Sequence, residues 1–171
     1  RYVGATPVLC DVVSAHAPAV IDDDRAALLV RWQRRLAPLA ETMASLRHGV
    51  IHNDANDNNV LVSDDAASIS GLLDLGDSVY SVVVNELAVA AAYAALDAPD
   101  PLAVIEAVRR GFERELPLTA DEAAAVLDLV GLRLCTSVAL SAHQSRLAPD
   151  DAYLTISERP AWELLATLER A

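Results

Sequence analysis

The residues able to do chemistry crowd between His52 and Asp77. His52 opens a polar run, Asn53-Asp54-Ala55-Asn56-Asp57-Asn58-Asn59, and a second acidic string, Asp74-Leu75-Gly76-Asp77, follows. A segment built almost wholly of Asn and Asp is a loop, because these side chains bond nearby backbone and stabilise turns. Carboxylates at the ends of successive strands can converge on one point. An asparagine oxygen beside them makes that point suitable for a hard cation such as Mg²⁺. A carboxylate left off the metal is free to accept a proton. Polar turns that merely cap their own backbone would account for the first loop, but not for the second at the matching distance.

The elements that must position these loops are short strands and long helices. Gly49-Val50-Ile51-His52 is β-like, Val60-Leu61-Val62 is a strand, Ser63-Asp64-Asp65 a turn, and Ser68 to Leu73 a second strand. They predict a small hairpin flanked by the acidic loops. Upstream, Asp22-Asp23-Asp24 precedes Leu28, Leu29, Trp32, Leu36, Leu39 and Met43, one helical face that Pro38 bends or breaks. Arg1 to Pro18 shows little periodicity. Downstream the pattern predicts helices over 87–96, 101–115, 121 to about 146, and 158–169. Thr119 with Glu122 forms a capping-box signature before the longest, and Gly131 lies inside it. The expected fold class is α+β, mostly helical, in a single domain over 1–171.

The 171 residues are 53% hydrophobic, enough for a packed core and too apolar for disorder. No uninterrupted apolar run reaches the ~18 residues of a spanning helix, so no membrane association is expected. The net charge of −12 argues against nucleic acid, whose phosphates need clustered cations. It suits an amine-bearing small molecule, a metal site, or plain solubility. All 13 basic residues are arginine. Chemistry that needs a lysine therefore cannot be completed within this chain. Cys10 and Cys135, without a C-x-x-C, read as free thiols of a reducing cytoplasm. The first residue is Arg1, which points to a piece of a longer polypeptide.

The spacing resembles a known signature. Protein kinases carry H-R-D-x-x-x-x-N and, after a hairpin, D-F-G. Here His52-Asn53-Asp54 leads to Asn59, and Asp74-Leu75-Gly76 follows. Asn53 in place of the arginine resembles the aminoglycoside phosphotransferase and choline-kinase-like superfamily of small-molecule kinases. The strings 50–56 and 71–77, Asn85-Glu86-Leu87-Ala88, and 153–162 are similar to the branch of hydroxylysine-kinase-like proteins and of the phosphotransferase domain fused to class III aminotransferases. The resemblance covers about Leu9 to Leu168. It implies the C-terminal lobe of a kinase-like fold, transferring the γ-phosphoryl of ATP (or GTP) to a hydroxyl of a small amine or amino acid. Asp54 would be the catalytic base, and Asn59 and Asp74 would hold Mg²⁺ on the nucleotide. His52 would be a structural residue of its loop. Asp77 would support the metal or line the acceptor pocket, and Glu86 and Asp57 would face a substrate ammonium. Such kinases also need an N-terminal lobe with a lysine and a loop over the phosphates. Neither is in this sequence, so this chain alone should transfer phosphate poorly, if at all.

Two readings compete with phosphoryl transfer: a non-catalytic kinase-like ligand-binding module of a larger protein, and a metal-dependent hydrolase using His52, Asp54, Asp57, Asp74 and Asp77. Arg133, Ser137, Ser141 and Gln144 share one face of the long helix. They form either its polar flank or a substrate-contacting face on which Arg133 binds a carboxylate or phosphate. His16, His48 and His143 lack metal-ligand spacing, and Trp32 and Trp162 are expected as packing anchors.

Overall fold

The computed structural model describes residues 6–65, 67–148 and 158–171. Its centre is the long helix, and the rest is arranged so that this helix is covered. In chain order come α1 (Thr6–His16), α2 (Asp23–Leu36), α3 (Leu39–Met43), β1 (His48–Ile51), β2 (Val60–Val62), β3 (Ile69–Leu72), β4 (Val79–Val82), α4 (Val84–Ala94), α5 (Pro101–Glu115), α6 (Ala120–Leu147) and α7 (Glu158–Glu169).

Side-chain caps set where the helices begin. The Asp22 side chain accepts from the Arg25 N–H at 2.9 Å, and Asp100 accepts from Ala103 at 3.1 Å with Pro101 in the first turn. At α6 the Thr119 hydroxyl takes the Glu122 N–H while the Glu122 carboxylate takes the Thr119 N–H, the reciprocal box its sequence predicts. Pro38 ends the α2 segment outright, and α3 restarts the chain at Leu39.

α1, α2, α4 and α7 pack around α6. By length and composition α6 is apolar enough to cross a bilayer. Here Leu129, Val130, Cys135 and Ala139 are wholly buried against its neighbours, so it serves as the core helix. Ala88, Ala91 and Ala92 of α4 are buried, and such small side chains let two helix backbones come close. Gly131 has a more specific reason to be glycine. A Cβ there would overlap the ring of Trp32, which is buried and donates its Nε1–H to the Leu165 carbonyl at 3.3 Å. Trp162 is likewise buried, with the Arg25 guanidinium 5.3 Å above its ring.

The β structure differs from the single hairpin expected. β2 and β3 do form an antiparallel hairpin, Val60 opposite Leu72, with a register irregularity between Leu61 and Val62. β1, however, pairs antiparallel with β4, His48 opposite Val82 and Ile51 opposite Val79. β4 falls in a stretch where no strand was expected, although Val79-Tyr80-Ser81-Val82 is rich in β-branched and aromatic residues. Its burial runs from exposed to buried along the strand: Tyr80 is exposed while Ser81 and Val82 are buried. α4 begins at Val84, three residues before the predicted start, and α1 forms where little periodicity is visible. Tyr153-Leu154-Thr155 lie outside the described residues.

Candidate active site

Two loops meet at one corner of the molecule, between the hairpin and the α4–α6 wall. The first follows β1 and the second follows β3. Each turns through the left-handed region, at Asn53 (φ 68°) and at Asp74 (φ 55°). Asn and Asp tolerate that conformation better than other side chains carrying a Cβ. Asn53 is fixed there on both sides. Its N–H donates to Glu86 Oε2 at 2.9 Å, and its Oδ1 accepts from Asn85 Nδ2 at 3.2 Å. Glu86 is thus occupied with the loop backbone.

Leu73 clamps the second loop to the first. Its N–H donates to the Asn59 carbonyl at 2.8 Å, and its carbonyl accepts from His52 Nε2 at 2.7 Å. The Asp54 N–H donates to His52 Nδ1 at 3.3 Å. A carbonyl can only accept and an amide N–H can only donate. His52 is therefore the neutral tautomer with its proton on Nε2. Buried and with both nitrogens engaged, it acts as a strut between the loops.

The Asp54 carboxylate is the hub. Oδ2 accepts from Asn56 Nδ2 and Asn59 Nδ2, each at 2.9 Å. Oδ1 accepts from Arg133 Nη2 at 2.8 Å and makes a longer contact, 3.4 Å, to the Tyr93 hydroxyl. Arg133 also donates to Tyr93 Oη at 2.6 Å, with its guanidinium 5.2 Å from the centre of the Tyr93 ring. The carboxylate thus has two sides. Oδ2 faces the Asn loop, and Oδ1 faces α4 and α6.

Asn59 turns its amide nitrogen to Asp54, also reaching the Asp54 carbonyl at 2.9 Å. Its Oδ1 is left as an acceptor. Asp74 is exposed, and no described residue bonds its side chain. A free amide oxygen and a free carboxylate on loops clamped together suit Mg²⁺, which takes few protein ligands and completes its shell with water and phosphate oxygens. Gly76 keeps Asp74 in place: a Cβ there would stand 3.2 Å from Asp74 Oδ1. Asp57 and Asp77 are exposed, and the side chain of neither makes a hydrogen bond within the described residues.

The sequence that builds this site has counterparts among known proteins. The family model described as "Phosphotransferase enzyme family" matches residues 5–126. The chain belongs to that family. Its membership places it in the aminoglycoside phosphotransferase and choline-kinase-like superfamily, and the α+β, mostly helical fold is that of a kinase-like C-terminal lobe. The chain is similar to hydroxylysine kinase of Bos taurus, 35% identical over 136 residues, 73% of this chain and 36% of the relative. Hydroxylysine kinase of Mus musculus is 33% identical over 139 residues, 75% and 37%. That of Xenopus laevis is 31% identical over 131 residues, 71% and 35%. The matches thus span about a third of these relatives' length.

Within this phosphotransferase lobe, the structure gathers Asp54, Asn59, His52 and Arg133 around one carboxylate and sets Asp74 beside them. Glu86 supports the loop from behind. Tyr93, Asn56 and Asn85 join the network without having been expected. Asn56 lies two residues from Asp54, a spacing at which Asx side chains commonly meet. Tyr93 carries no comparable local signal. His16 and His143 pair with each other, ring centres 4.4 Å apart, and His48 stacks on Tyr80 and meets the Leu46 carbonyl. Among the described residues no three His, Cys, Asp or Glu side chains gather as a metal cluster. The hydrolase reading loses His52 as a ligand, since both its nitrogens are engaged. Burial pushes the Cys135 thiol up, and burial together with Asp11 does the same at Cys10.

Proposed function

We propose that this chain is the catalytic lobe of a small-molecule kinase, acting with a nucleotide-covering lobe of its parent polypeptide. It would move the γ-phosphoryl group of ATP, or GTP, to a hydroxyl of a small amine or amino acid, with hydroxylysine the first acceptor suggested by its relatives' names. The observation that carries the reading is the clamp at Leu73. It ties the loop of Asp74 to the loop of Asp54 and Asn59 by one backbone–backbone hydrogen bond, to the Asn59 carbonyl, and one from the His52 side chain.

Asn59 Oδ1 and the Asp74 carboxylate would hold Mg²⁺, which supplies positive charge for the phosphate oxygens. Asp54 would accept the proton of the acceptor hydroxyl as its oxygen bonds to phosphorus and the bridging oxygen leaves with the nucleoside diphosphate. His52 keeps the two loops in register throughout. Asp57 and Asp77, exposed and unengaged, add negative potential at the rim, where an acceptor ammonium would gain from it.

The exposed apolar side chains support a second lobe. Val50, Leu61, Val62, Ile69, Leu72 and Tyr80 all lie on the strands around the site. A surface of this kind is expected where another body covers it. The lysine this chain lacks would come from that lobe. Two free thiols fit a reducing, cytoplasmic setting. The absent lysine also favours a second reading, a kinase-like module that binds a ligand without catalysis.

The test is transfer of label from γ-labelled ATP to 5-hydroxylysine and related amino alcohols by the parent polypeptide, with and without Mg²⁺. Mg²⁺-dependent labelling is expected, with the 171-residue chain alone close to background. No labelling, together with nucleotide binding indifferent to Mg²⁺, would favour the binding module.

A further inference from the structure

Asp54 is fully engaged without a substrate. A carboxylate offers about four lone-pair positions. Here Asn56 and Asn59 take those of Oδ2, and Arg133 and Tyr93 take those of Oδ1. An acceptor hydroxyl reaches the base only where a donor yields. Asn59 is tied to the backbone of Asp54 as well, and Asn56 also accepts from the N–H groups of Asn58 and Asn59. The 3.4 Å contact to Tyr93 is the longest of the four. The open approach is therefore on the Oδ1 side, along the wall of α4 and α6.

That wall carries a cation with capacity to spare. Arg133 uses Nη2 for both Asp54 and Tyr93, its Nε–H is buried with no partner, and no described residue bonds Nη1. A buried donor without a partner is costly, so this side chain retains hydrogen-bonding capacity in the present arrangement. A guanidinium presents a planar fork that matches a carboxylate. Ser137, one turn further along α6 and partly exposed, continues the same face.

We infer that Arg133, backed by the Tyr93 ring, is the anchor for a carboxylate on the acceptor, so that this site selects amino acids over simple amines. The inference rests on the kinase reading and deepens it. The acceptor's hydroxyl takes the place of the Tyr93 contact on Asp54, while its carboxylate accepts from Arg133 Nη1, which no described residue bonds. The carboxylate and the reacting hydroxyl are then separated by the width of the guanidinium, which excludes acceptors whose two groups are adjacent.

The experiment is calorimetric binding to the parent polypeptide of 5-hydroxylysine and of its decarboxylated counterpart, for wild type, R133A and R133K. Phosphoryl transfer is assayed separately. The expected result is a preference of at least tenfold for the carboxylate-bearing probe in wild type. That preference should fall to near unity in R133A and recover partly in R133K, which keeps the charge but not the fork. Equal affinity for both probes in wild type, binding of neither, or an unchanged preference in R133A would overturn the inference. Absence of transfer with the preference intact would count against the kinase reading alone.

Discussion

Asp54 is held by four side chains from three parts of the chain, its own loop, α4 and α6. The loop partners are local and share its motif. Arg133 and Tyr93 are 79 and 39 residues away, and only the packing of α4 on α6 brings them in. The loop residues around Asp54 were therefore legible as a group and Arg133 as a candidate on its helix face, while Tyr93 and the meeting of both on Oδ1 were not. Gly76 offers a prediction at the same scale. It is exposed and does not have positive φ, so alanine should leave the fold intact. Its methyl would displace the Asp74 carboxylate by a few tenths of an ångström. Gly76→Ala in the parent polypeptide should weaken Mg²⁺-nucleotide binding roughly three- to tenfold, about 1 kcal/mol, with an unchanged melting temperature. Titration calorimetry and a thermal melt together check this. Unchanged affinity would show that Asp74 does not bind there.

The helices illustrate which sequence signals survive folding. Caps and prolines are local physics, so the starts of α2, α5 and α6 and the break at Pro38 follow directly from the residues. β4 was missed because its partner, β1, lies across the whole hairpin, so no adjacent turn signals the pairing. Gly131 reads as a weakness of α6 until Trp32 is seen against it. Gly131→Ala should then destabilise by roughly 2–3 kcal/mol, an overpacking cost that exceeds the gain in helix propensity. For a chain of this size that lowers Tm by about 5–10 °C, and a rise in Tm would refute the packing account.

The start of α6 carries a titration of its own. Glu122 is wholly buried and bonds Arg47 through Nε at 2.7 Å and Nη2 at 2.5 Å. The Arg47 guanidinium, helped by the Thr119 N–H, holds the Glu122 carboxyl at about 2, below its usual 4.5. A depressed folded-state value stabilises the fold fully above about 4.5 and loses that contribution as pH falls from 4.5 towards 2. Because Arg47 remains partly in water, the contribution is about 1–2 kcal/mol. Denaturant midpoints followed from pH 6 to 3 should fall more steeply for wild type than for Glu122→Gln. Parallel curves would assign the acid sensitivity elsewhere.

At the scale of the whole molecule, the lobe is well built on its helical side and open on its strand side. α6 and its neighbours form a continuous core, whereas the strands leave Val50, Ile69 and Tyr80 outward. The expected fold class followed from apolar spacing, but which face would need covering could not, because exposure depends on how the two small sheets are set against the helices. In the proposed kinase, this open face is the side on which a second lobe would sit. The proposal turns, however, on the chemistry at Asp54. The most direct measurement is therefore the rate of phosphoryl transfer to 5-hydroxylysine by the parent polypeptide, comparing wild type with Asp54→Asn. The substitution nearly preserves shape and removes the base. The account predicts Mg²⁺-dependent transfer that falls about 10²- to 10⁴-fold in the variant, with nucleotide affinity little changed. Transfer that survives Asp54→Asn at near wild-type rate would contradict it.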